Sequence, residues 1–258
     1  ALPIFLDNVH RQGAGLLNIA SAILNTSAIS PSKLSLGESQ AGPSVCTLTI
    51  QNKSKTTVQY TLSHEPALST GPNTFTPAFF TGFADVVFSM PSVMVPAKSS
   101  VSFTATITAN PGLSDLSLYG GYIVAHGDNG ETIRVPYAGL KGDYQQKAAL
   151  TSGGYGFPLL GQMIGGSYYI VNDLTSFSLV DGDIPYVLIH LDHQSRELKA
   201  EVFRVDAGKG RYLAFSYPYM IRNSTATSFF AVGWDGISVS GKQLVEAPDG
   251  TYYRSEEH

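Results

Sequence analysis

Past Asn25, apolar side chains recur at every second position in short runs, and each run ends in a cluster of turn residues. Alternation with period two suits a strand with one face buried and cannot be kept by a helix, whose apolar face repeats at 3.6. Val45–Ile50, Val58–Leu62, Ala84–Phe88, Val101–Ile107, Tyr119–Ala125 and Thr132–Tyr137 read as strands. The separators are Gly42-Pro43, Gly71-Pro72-Asn73, Pro96-Ala97-Lys98, Asn110-Pro111-Gly112 and Gly127-Asp128-Asn129-Gly130. Strands spaced this closely point to an antiparallel sandwich.

A second series follows: Tyr168–Val171, Ser176–Val180, Tyr186–Leu191, Leu198–Val205, Tyr212–Tyr217 and Ser228–Val232, with another near Gly250–Tyr253. Between the two series, residues 147–166 read as a glycine-rich linker carrying an apolar patch, Phe157-Pro158-Leu159-Leu160. The expected fold is all-β: two antiparallel β-sandwich modules over residues 27–146 and 167–258, preceded by one short N-terminal helix. Composition agrees, with 14% charged residues, 26 Gly, 14 Pro, 14 Tyr and 13 Phe. Chains with so few charges and so many turn formers and aromatics favour sheets over long helices.

The helix is expected where Leu16, Ile19, Ala20 and Ile23 fall at i, i+3, i+4 and i+7, with Gly13 and Gly15 at its start. Together with the strand-like Leu2-Pro3-Ile4-Phe5-Leu6, this opening segment is strongly apolar. Left uncovered it would expose several hundred Å2, on the order that monomers avoid. Residues 1–24 are therefore expected to dock on their own sandwich, to self-associate, or to bind another chain.

Specific motifs carry a resemblance. Gln12-Gly13-Ala14-Gly15-Leu16-Leu17-Asn18 followed by a short helix and Ser30-Pro31-Ser32-Lys33-Leu34-Ser35-Leu36 resembles the end of the catalytic domain in secreted, fungal-type subtilisin-like serine proteases. There it runs into a fibronectin-III-like domain. The likeness continues through Leu48–Ser54, Val58–His64, Tyr119–Ile123 and Val135–Gly142. Trp234-Asp235-Gly236 with Ala247-Pro248-Asp249-Gly250-Thr251-Tyr252 resembles the close of a second accessory, fibronectin-III-like or jelly-roll-like sandwich. The resemblance implies that residues 1–26 are the terminal helix of a catalytic domain and that Leu16, Ile19 and Ile23 dock on it.

A subtilase needs Asp, His and Ser converging on one peptide, with an oxyanion donor. The Asp-Thr/Ser-Gly, His-Gly-Thr-His and Gly-Thr-Ser-Met-Ala motifs that supply them do not occur. His126-Gly127-Asp128 resembles the second only superficially and falls in an expected hairpin turn. No catalytic residue is therefore assigned, and no cofactor or metal is expected. The first functional expectation is a non-catalytic accessory region of a secreted subtilisin-like protease, structural and substrate-positioning, with no peptidase activity alone. The alternatives are a lectin-like, carbohydrate- or cell-surface-binding protein and a protease-binding regulator.

Other candidates are weaker. His190-Leu191-Asp192-His193 is the densest ionisable cluster, yet zinc would need a third ligand from elsewhere. Asp181-Gly182-Asp183 reads as an acidic turn, Glu197 and Glu201 as a solvated strand face, and Gly208-Lys209-Gly210 as a turn. The one cysteine, Cys46, reads as a small strand residue. Sequons at Asn25, Asn52 and Asn223 make these asparagines candidate glycan acceptors and favour secretion. Phe79, Phe80 and Phe83, and Tyr217 and Tyr219, are candidate contacts for a sugar or protein partner; Trp234 and Tyr252 read as core. Acidic and basic side chains balance at eight each over residues 1–147 and stand at twelve and eight beyond. With no basic stripe, nucleic acid is not an expected partner, and no apolar run is long enough for a membrane span.

Overall fold

The computed structural model describes residues 5–205, 211–240 and 243–254. Leu2, Pro3 and Ile4 of the apolar start and the expected Gly208–Gly210 turn lie outside them. The chain divides into two compact units, Ala1–Lys147 and Ala148–His258. Both are built from strands, so the protein is an all-β sandwich fold.

The first unit opens with two short helices, α1 (Val9–Gln12) and α2 (Ile19–Leu24). Its strands are β1 (Ser27–Ser30), β2 (Leu34–Glu38), β3 (Ser44–Asn52), β4 (Val58–Pro66), β5 (Ser69–Gly71), β6 (Ala78–Phe80), β7 (Asp85–Phe88), β8 (Ser92–Val95), β9 (Ser100–Thr108), β10 (Leu118–Gly127) and β11 (Thr132–Leu140). One sheet runs β1-β3-β9-β7 and the other β2-β11-β10-β4-β8, with the β5–β6 hairpin beside β10. The alternation seen in sequence is the burial pattern. Leu48 and Ile50 of β3 and Phe103, Ala105 and Ile107 of β9 face Val58, Tyr60 and Leu62 of β4, Val93 and Val95 of β8, and Ile123 and Val135. Burying each large aliphatic contributes roughly 1.5–3 kcal/mol. Cys46 is half-buried and free, set on β3 against this core. One pair departs from the antiparallel expectation: β2 lies parallel to β11, because the chain leaves β1 in one sheet and enters the other without a hairpin.

The expected helix is corrected in two ways. The helix read from the Leu16–Ile23 stripe is α2, which starts at Ile19 and leaves Leu16 and Leu17 outside it, and a further short helix, α1, stands ahead of Gly13. The Asn18 side chain accepts a hydrogen bond from Ser21 N at 3.0 Å and so sets the N-terminus. Gly13 and Gly15, at φ +59° and +92°, break the helical path before it.

The second unit holds β12 (Leu150–Thr151), β13 (Leu159–Ile164), β14 (Ser167–Ile170), β15 (Tyr186–Leu191), β16 (Ser195–Arg204), β17 (Arg211–Met220), β18 (Phe230–Gly233), β19 (Ile237–Ser240), β20 (Gln243–Glu246) and β21 (Tyr252–Arg254). Strand β15 pairs with β12, β13 and β18, and β14 pairs with β13. A three-stranded sheet runs β17-β16-β21, and β19 pairs with β20. The 147–166 stretch is therefore not a bare linker, since β12 and β13 lie inside it. Its glycines serve the sheet. Gly161 lies against the Leu188 side chain across the ladder, and Gly165 and Gly166 both take positive φ in the two-residue turn joining β13 to β14. Ser176–Val180 is no strand. The Asp183 carboxylate accepts from Ser178 N and Oγ at 2.9 Å, and Leu179 and Asp181 take positive φ, which closes a tight loop.

Candidate functional site

In the first unit, residues 5–13 dock on the sandwich. Leu6 bridges to Ala67, and Leu68 N donates to Leu6 O at 2.9 Å. Asn8 is wholly buried, its Oδ1 capping α1 through His10 N and its Nδ2 donating to Leu68 O at 2.9 Å. Val9 packs with Ala67, Tyr122 and Val124 as a small second core. A Cβ at Gly120 would come within 3.0 Å of Val9 Cγ2, so the glycine is what lets α1 approach β10. Tyr122 Oη donates to Gly13 O at 2.8 Å and ends the docked stretch. A shallow, mostly apolar groove of about 370 Å3 follows, lined by Val9, Gly13, Ala14, Leu34 and Pro136 with Lys33 at its margin.

Beyond Gly13 the docking stops. Leu16 and Leu17 are fully or almost fully exposed (101% and 81%), and α2 buries none of its residues. Leu16, Ile19 and Ile23, the candidate docking residues, thus form with Leu24 an uncovered apolar face.

The other candidates of this unit scatter. Phe79 is exposed, with the Arg11 guanidinium 5.2 Å from its ring centroid. Phe80 packs on the core, and Phe83 tilts against Phe5 at 5.5 Å. The three rings share a hairpin region but form no common surface. His126–Gly130 is the β10–β11 turn. Beside β10, buried Tyr137 and half-buried His64 pair, with Oη and Nε2 2.7 Å apart. Burial lowers the His64 pKa, and burial, with Tyr119 and Asp85 nearby, raises that of Tyr137.

The sequons divide by burial. Asn25 is exposed at the end of α2. Asn52 is not available: it is wholly buried, and Nδ2 donates to Thr56 O, Val95 O and Pro96 O at 2.7, 3.1 and 3.3 Å. Asn223 is 3% exposed, with Oδ1 accepting from Leu191 N at 2.7 Å. Both asparagines tie strands to loops; a glycan on Asn52 Nδ2 would displace its bonds, and the burial of Asn223 leaves no room for one.

In the second unit the structure brings together residues that sequence reading passed over. Tyr155, Phe157, Phe229, Tyr168 and Tyr186 form a continuous run of rings. Successive centroids stand 6.0, 5.6, 5.9 and 5.2 Å apart. Phe157 is buried, while Tyr155, Tyr168 and Phe229 are exposed. Beneath them lies His190, wholly buried and stacked on Phe157 at 6.2 Å and 18°. Its Nδ1 donates to Ser228 O at 2.6 Å, and Nε2 faces Asp192 Oδ1 at 3.1 Å. Gly153 sits on the imidazole, where a Cβ would come 2.9 Å from Cγ. His190 therefore clamps the 152–157 and 223–229 loops to β15. The His190–Asp192 proximity read from sequence is real, but its geometry is that of a scaffold. Among the described residues no three His, Cys, Asp or Glu side chains converge on a metal position.

Tyr217 and Tyr219 lie at the end of β17, exposed by 45% and 74%. Phe215 touches Tyr217 at 5.5 Å. Glu197 bonds Lys199 Nζ at 3.0 Å, which lowers its pKa. Trp234 is 7% exposed and meets Tyr252 edge-on at 5.3 Å, a packing contact.

A model of the Fn3-like domain matches residues 34–138, so an Fn3-like domain is present. No curated protein matches the chain. Among solved structures, the PapD-like domain 7 of human CEP192 shares 14% identity, covering 45% of this chain and 84% of that one at a TM-score of 0.37. A FixG-related protein from Vibrio parahaemolyticus shares 15% identity over 46% of this chain and 98% of that one, at 0.32. A chaperone–tip adhesion subunit complex of the Csu pili of Acinetobacter baumannii shares 11% over 83% and 93%, also at 0.32. At these TM-scores the likeness carries no functional weight. Among the described residues no helix is long and apolar enough to cross a membrane.

Proposed function

We propose that the chain is the non-catalytic accessory region of a secreted subtilisin-like serine protease, bracing and positioning the catalytic domain and inactive as a peptidase alone. The observation that carries this reading is the N-terminal segment. Residues 5–13 are built into the sandwich, whereas Leu16, Leu17, Ile19, Ile23 and Leu24 stand in solvent immediately in front of an Fn3-like domain. An apolar face next to a folded unit is what an adjoining domain would cover. The motif resemblance of residues 12–36 supports the identity of that domain. The test is the intact mass and N-terminal sequence of the natural material, with its companion chains identified. The expected result is an upstream or companion sequence carrying the Asp, His and Ser motifs. A solitary monomer with residues 14–24 open to proteolysis overturns the reading.

A second reading, carbohydrate binding, is favoured by one observation: the exposed tyrosine and phenylalanine rings of the second unit, which stand in a row where core packing does not require them to be exposed. The two readings are compatible, because an accessory region can also hold its enzyme on a surface.

A further inference from the structure

We propose that Tyr155, Phe229 and Tyr168 form an exposed aromatic cluster that binds a neutral polysaccharide, a site that rests on the carbohydrate reading and assigns it to these rings rather than to Tyr217 and Tyr219. Three separate loops and strands contribute the rings. Tyr155 comes from the 152–157 loop, Phe229 from the residue before β18, and Tyr168 from β14. Each meets its neighbour at 5.6–6.0 Å, directly or through Phe157, with Tyr155 edge-on to Phe157 at 77° and Tyr168 edge-on to Phe229 at 80°, so successive rings turn different faces outward. The rings are held from below. Phe157 stacks on buried His190, and His190 Nδ1 bonds Ser228 O, next to Phe229. Gly154 N donates to Ala226 O at 3.3 Å and joins the two loops. Side chains anchored in this way lose little freedom on binding, which is how a preformed site gains affinity.

The surroundings select the ligand. Residues 148–172 contain no charged side chain, nor do residues 223–234. A polyanion such as nucleic acid would meet a single cation, Arg222 at the start of that loop, too few for a phosphate backbone. Exposed Ser224, Thr225 and Thr227 lie on the loop that carries Phe229, offering hydroxyls beside the rings. The electron-rich ring faces suit the weakly positive C–H face of a pyranose, and the hydroxyls suit its equatorial edge.

The experiment is affinity electrophoresis of the whole chain in gels containing hydroxyethylcellulose, laminarin, mannan, or the anionic controls heparin and alginate. Chitin-bead sedimentation is run beside it. Retardation by at least one neutral glycan is expected. It should weaken roughly tenfold in Tyr155→Ala and in Tyr168→Ala, and stay unchanged in Tyr219→Ala. Tyr155 is the most exposed of the three rings, and unchanged thermal unfolding of Y155A excludes a folding defect. Neutral-glycan binding that survives Y155A and Y168A but is lost in Y219A overturns the assignment to this cluster while leaving the carbohydrate reading standing. No retention by any neutral glycan overturns both, as does binding confined to the anionic polymers.

Discussion

Asn52 shows how one side chain can change a functional expectation. As a sequon it reads as a surface feature; in the fold its amide bonds three carbonyls and its Oδ1 turns the chain at Ser54. Asn52→Ala is expected to cost about 2–3 kcal/mol, because buried acceptors lose their donor; chemical denaturation measures it. When the chain is secreted by a glycosylating host, peptide mapping should find glycan at Asn25 and at neither Asn52 nor Asn223. Gly121 is as constrained. A Cβ there would come within 2.8 Å of Glu65 O and Tyr137 Oη and 2.9 Å of His64 Nε2, so Gly121→Ala should destabilise by about 1–3 kcal/mol. The His64–Tyr137 pair sets a pH window. His64 has its pKa lowered from 6.5, so as pH falls through that value the unfolded chain binds the proton first and stability falls. Tyr137 is raised from 10.0, so above that pH the unfolded chain loses its proton first and stability falls again. Urea midpoints should therefore form a plateau between these values. His64→Asn should lessen the acid-side slope and Tyr137→Phe the alkaline-side slope, the remainder coming from His10 and from Tyr60, Tyr119 and Tyr122, which burial shifts the same way.

At the scale of elements, α1 and α2 make opposite predictions although both are short: the mostly polar α1 is docked through Val9, whereas the apolar α2 is not docked. Val9 is buried and α2 has no buried residue. Val9→Asp should lower the unfolding midpoint strongly, by the roughly 2–4 kcal/mol that an unpaired buried charge costs. Ile19→Glu with Ile23→Glu should change it by no more than about 0.5 kcal/mol, the usual range for exposed positions. The strands of the first unit were legible because β3, β4, β9, β10 and β11 are long enough for alternation to register. Strands β1, β2, β5, β6 and β8 run three to five residues, too short for a period to emerge. Glycine misled at β13. Gly161, Gly165 and Gly166 resemble a linker by composition, yet one is a close approach and two are a turn. The converse error at Ser176–Val180 arose because alternation ignores a carboxylate. Asp183 closes that segment into a loop.

The whole molecule is two strand-built units, the first carrying an Fn3-like domain over residues 34–138. The uncovered helix face was foreseeable from its stripe. The ring cluster was not, because Tyr155, Tyr168 and Phe229 lie 13 to 74 positions apart and come together only in the fold of the second unit. What unites the molecule in the proposed account is division of labour: it offers an apolar edge, and a catalytic partner supplies the nucleophile. The most direct measurement is labelling with a fluorophosphonate, which reacts with activated serines. It is applied to the purified 258-residue chain and to the natural material isolated through it. The account predicts no label on the chain alone and label on the companion or upstream sequence in the natural material. A labelled serine within these 258 residues, or natural material with no reactive serine at all, would contradict it.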